Sequence, residues 1–178
     1  MALCCVPILC LAVYYTPLFA SLGWHATHGM AINYRGLRVR VPLGWTPDLT
    51  PGDDDDFPAS PQGVTLEKQP KTLGFESVGP ELMYFNVLLP DEGTPPDQQV
   101  AQWQDLFRNA RPASRFDVAS LANLPPGMDC LQATPHSSPS SAILACISLK
   151  DGWVARFAGS EAHVRLFLDI AADLKSKR

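Results

Sequence analysis

The chain carries no charged side chain before Arg35, and from Ala2 to Trp24 it reads ALCCVPILCLAVYYTPLFASLGW. These 23 residues, wound as a helix, are long enough to cross a hydrocarbon core of roughly 30 Å. A cleaved signal peptide usually has a shorter apolar stretch, of roughly 7–15 residues. Residues 1–24 are therefore expected to form an uncleaved transmembrane or signal-anchor helix. Ser21-Leu22-Gly23 is a small-x-small site at which a signal peptidase would cut, so cleavage is the competing expectation and a buried core helix the third. Pro7 and Pro17 are costly in a soluble helix but tolerated in membrane spans, and Trp24 suits the interfacial aromatic belt. Cys10 follows Pro7-Ile8-Leu9, without the small residues that precede a lipidated cysteine. Cys4, Cys5 and Cys10 read as small apolar residues of the span.

Residues 25–33 are expected to be a tether, and residues 34–178 a single domain of ordinary size. Its formal net charge of −4, with no stripe of Lys and Arg, argues against nucleic acid as a partner. Seventeen prolines favour many turns and short elements over a helical bundle.

Leu37, Val39 and Val41 alternate with Arg38 and Arg40, the pattern of a half-buried strand, and Pro42-Leu43-Gly44-Trp45 turns out of it. A polar, Pro-rich loop over residues 46–62 holds Asp53–Asp56. Strands are expected at Val64–Glu67, Leu82–Leu89, Phe116–Leu121, Met128–Thr134, Ala142–Leu149 and Trp153–Ala158. Pro95-Pro96-Asp97 starts a helix whose apolar face is Val100, Trp103, Leu106 and Phe107, and Pro112 stops it. Ser160 caps a second helix with the stripe Val164, Phe167, Leu168, Ala171 and Leu174. Strands, helix, strands, helix with hairpin-like connections make an α+β domain: an antiparallel sheet with two packed helices, preceded by the N-terminal membrane helix.

That element order and Pro42-Leu43-Gly44-Trp45 resemble the PsbP-like fold of bacterial and plastid accessory domains. The stretch from Trp24-His25-Ala26-Thr27-His28-Gly29 into Tyr34-Arg35-Gly36 is similar to membrane-anchored bacterial proteins. Neither resemblance implies a catalytic activity.

Cys130 and Cys146 fall on consecutive strands joined by Pro135–Ser141, and Ser138 is midway both in the loop and between the cysteines. A symmetric hairpin sets them opposite each other, at a separation that suits a disulfide. Such a bond forms in an oxidising compartment and so favours a periplasmic or extracellular domain. Arg35, Arg38 and Arg40 after the span argue for the cytoplasm by the positive-inside rule, unless their alternation reports a strand and not topology. Two buried free thiols are the alternative to the disulfide.

Other candidates carry less. His25 and His28 at i and i+3 are better placed at the lipid headgroups than on a metal, and Asp53–Asp56 lacks the ligand pattern of a calcium loop, so no metal and no cofactor is expected. Gly159-Ser160-Glu161 is not a nucleophile elbow. Trp45, just after a turn, is the candidate ligand-binding residue. The expected function is a membrane-anchored envelope module that binds a protein, lipid or small ligand without catalysing a reaction. Two alternatives stand beside it: a hydrolase with a site assembled from loops around His136 or His163, and a redox sensor using Cys130 and Cys146.

Overall fold

Leu37, Val39 and Val41 are buried and Arg38 and Arg40 exposed, as their alternation requires, but the strand they mark is only half of a hairpin. The computed structural model describes residues 18–48, 63–68, 80–88, 91 and 93–174. Residues 18–28 form helix α1. β1 (Ala31–Tyr34) then pairs antiparallel with β2 (Leu37–Arg40). Arg35 (φ 49°) and Gly36 (φ 84°) close the pair, two positive φ values in a row that twist a two-residue turn to match its strands. Within residues 25–33, read as a tether, helix runs to residue 28 and a strand begins at Ala31. Four residues of Ala-Ile-Asn-Tyr are too few for alternation to announce a strand.

The remaining strands are β3 (Thr46–Asp48), β4 (Gly63–Lys68), β5 (Glu81–Val87), β6 (Phe116–Ser120), β7 (Asp129–Pro135), β8 (Ser141–Ser148) and β9 (Trp153–Ser160). They form one seven-stranded sheet in the order β3-β4-β5-β9-β8-β7-β6, antiparallel throughout. Helix α2 (Pro96–Asn109) carries the chain from β5 to the far edge, and α3 (Val164–Ala172) follows β9. The fold is α+β.

Both sheet faces are covered, by different helices. On one, Val64, Leu66, Met83, Phe85, Leu144 and Phe157 meet Phe167, Ile170, Ala171 and Leu174 of the α3 segment, with Leu37 and Val39 from the hairpin. The Phe167 ring stacks 6.0 Å from Phe85 and 5.6 Å from Phe157. Burying each such ring contributes about 1.5–3 kcal/mol. On the other face, Phe107 of α2 packs on Leu131, Ala133 and Ala145. Leu106, expected on that stripe, is 71% exposed: it is one position from Phe107, and successive helical side chains point about 100° apart. Ser160 accepts the Ala162 N–H at 3.3 Å and so caps as expected, but a single 3₁₀ turn (Glu161–His163) intervenes before α3.

Among the described residues no helix is long and apolar enough to cross a membrane. Residues 1–17 of the expected span lie outside the described residues, as does Asp53–Asp56.

Candidate functional site

The end of the charge-free run is fixed to the folded domain by one hydroxyl. Ser21, on α1, is fully buried. Its Oγ donates to the Trp45 carbonyl at 3.0 Å and accepts the Gly44 N–H at 2.9 Å. Gly44 sits at φ 84°, a conformation that residues with a Cβ rarely adopt, and this aims its N–H at the helix. One turn further along α1, His25 meets the Pro42 carbonyl through Nε2 at 3.2 Å and the Gly29 carbonyl through Nδ1 at 2.8 Å. Pro42-Leu43-Gly44-Trp45 is therefore a seat for α1. Trp24 is half-buried against the core, with His28 stacked on it at 5.1 Å.

The seat leads into a polar cluster. Trp45, the candidate ligand-binding residue, is 1% exposed, because the turn folds its indole inward to the core. The His163 ring meets its edge at 6.1 Å and the Lys68 ammonium is 5.9 Å from its centroid. Glu81 and Lys68 are direct cross-strand partners on β5 and β4, 3.5 Å apart as an ion pair. Glu81 Oε2 also lies 2.7 Å from His163 Nδ1 and accepts the Ser160 N–H at 3.0 Å. Lys68 Nζ donates to His163 Nε2 at 2.8 Å. With Nε2 accepting, the ring proton resides on Nδ1 and is directed at the carboxylate. Gly159 makes room for this: a Cβ there would come within 2.7 Å of Glu81 Oε2 and 2.9 Å of the Phe157 ring.

No motif in the sequence joins these three side chains, and the fold brings them together. Chemically, a carboxylate that orients an imidazole is half of a general-base device, but the imidazole's other nitrogen is taken up by an ammonium. In this arrangement the cluster stitches the ends of β4, β5 and β9 to the start of α3. Lys68, Glu81 and His163 are 30%, 16% and 27% exposed, so the stitch lies at the rim of the core and not within it.

Cys130 and Cys146 are direct partners in the β7–β8 ladder, with Cα atoms 4.1 Å apart and sulfurs at the disulfide distance of 2.03 Å. Both are buried on the α3 face of the sheet. His136 lies elsewhere, 3.3 Å from Asp117 in an exposed pair at the β6–β7 edge. His25 and His28 each engage their own partners, and the described residues contain no group of three metal-ligating side chains.

Comparison with models of known protein families found no match, and comparison with curated proteins found none.

Proposed function

We propose that this chain is a membrane-anchored envelope module that acts by binding, its domain on the periplasmic or extracellular side and its N-terminal segment retained in the bilayer. The observation that carries the reading is the seat of α1. The helix that continues the charge-free run is hydrogen-bonded through Ser21 to Gly44 and Trp45, so α1 and the domain behave as one piece. A signal peptidase cut at Ser21-Leu22-Gly23 would remove that buried hydroxyl and leave two backbone groups without it, which favours an uncleaved anchor. The buried Cys130–Cys146 pair, in register across two strands, favours an oxidising compartment.

Binding in preference to catalysis is supported by the Glu81–His163–Lys68 cluster. The nitrogen a general base would use is occupied by Lys68, and the closest hydroxyl in sequence, Ser160, serves as a cap. An accessory role of the kind PsbP-like domains supply agrees with the antiparallel sheet and the Pro42–Trp45 turn. Alkaline carbonate washing of membranes from cells expressing the full chain tests the anchor. The chain is expected to stay in the pellet; release into the wash sinks the proposal.

A further inference from the structure

We propose that Leu43 and the outward side of α1 form one lipid-contact surface, so that the folded domain rests on the bilayer and does not hang clear of it; this deepens the anchor reading and rests on it. Among the described residues, the large apolar side chains left exposed are Leu18, Phe19, Leu22, Met30, Leu43 and Leu106. Four of the six lie on α1 or on the turn that seats it. Leu18 and Leu22 are one turn apart on α1, with Phe19 beside them, so they share its outward side. Leu43 is on the turn beside α1, since its neighbour Gly44 donates to Ser21, the residue next to Leu22. Leu43 is 60% exposed and Phe19 62%, large values for side chains whose backbone is held this firmly.

The occupant is lipid, for two reasons. Residues 2–17 precede α1 in sequence and are as free of charge as the patch, so the patch follows a stretch whose composition favours hydrocarbon. Ser21 and Leu22 also fall inside the charge-free run, before Trp24, which sets Leu43 level with the last turn of the span and not above it. No Asp, Glu, Lys or Arg occurs in residues 18–28 or 41–47 to hold water between the turn and the bilayer. A protein partner would be expected to meet a polar rim around such a patch.

Leu106 supplies an internal control: it is at least as exposed but on α2, across the sheet from the face that α1 joins. The test uses the full chain with Cys4, Cys5 and Cys10 replaced by Ala, carrying Leu43→Cys or Leu106→Cys labelled with an environment-sensitive fluorophore. Each is reconstituted into vesicles of phosphatidylcholine and phosphatidylglycerol and isolated by flotation. The paired Cys130 and Cys146 do not take the label. The label at 43 is expected to emit at shorter wavelength and to be quenched several-fold more strongly by nitroxide-bearing lipids than the label at 106. Equal, weak quenching at both sites in a chain that floats with the vesicles overturns the lipid contact and leaves the anchor standing. A chain that does not float overturns both.

Discussion

Removing the Ser21 hydroxyl separates a docked N-terminal helix from one that is merely nearby. In Ser21→Ala the side chain stays small, so packing changes little, but the Gly44 N–H and the Trp45 carbonyl each lose the partner they have at 2.9 and 3.0 Å. A buried backbone group left unsatisfied costs about 1–3 kcal/mol. Two of them bring the loss to several kcal/mol if α1 stays seated. The helix avoids that full loss by lifting off and letting water in, which limits the effect to its docking free energy, on the order of 2 kcal/mol. At 1.4 kcal/mol per decade, such a loss speeds local opening roughly 30-fold. Amide hydrogen exchange in detergent micelles reads this directly at Gly44 and along residues 18–28, with β8 as the internal reference. Faster exchange at Gly44 with β8 unchanged is expected. Protection at Gly44 within a factor of about two of the parent would mean that the hydroxyl does not hold the seat, and the reasoning fails.

Three further outcomes follow from the same geometry. Replacing Cys130 and Cys146 together by Ala should cost on the order of 3 kcal/mol for a bridge of 16-residue separation, a fall of roughly 6–12 °C in thermal midpoint; an unchanged midpoint would show that the pair is not bonded in the isolated protein. In Glu81→Ala the Ser160 N–H, His163 and Lys68 all lose a partner, whereas His163→Ala leaves the Glu81–Lys68 pair in place. The first should therefore destabilise by about 2 kcal/mol and the second by about 1, compared by urea midpoint; the reverse order contradicts the stitch. Intact mass spectrometry of the membrane-extracted protein should find residues 2–23 still attached, and a mature chain starting at Trp24 would contradict the uncleaved anchor.

Local patterns made much of the fold legible. Leu37, Val39 and Val41 revealed the face of β2 because strand side chains alternate. The symmetry of Cys130 and Cys146 about Ser138 was enough to give the β7–β8 register. Pro95-Pro96-Asp97 marked the start of α2 within a residue. The sites are a different matter. Lys68, Glu81 and His163 belong to three separate elements, with Glu81 and His163 at a sequence separation of 82, and no motif joins them. Glu81 and Lys68 become neighbours only through the β4–β5 register, and Glu81 reaches His163 only because Gly159 lacks a side chain. Gly159 was the one local signal: a glycine inside a strand marks close approach of another group. Ser21 was hidden for the opposite reason. In an apolar run a serine reads as a small residue, and only the turn at Gly44 and Trp45 shows that its hydroxyl is wanted.

Protease treatment of intact spheroplasts expressing the full chain, with alkylation of thiols before and after reduction, probes anchor, side and cystine together. The expected result is a domain digested without lysis, whose Cys130 and Cys146 take up alkylating reagent only after unfolding and reduction. A domain that survives until the cells are broken, with both cysteines reactive in the unreduced, unfolded chain, would contradict the proposed compartment and the cystine at once.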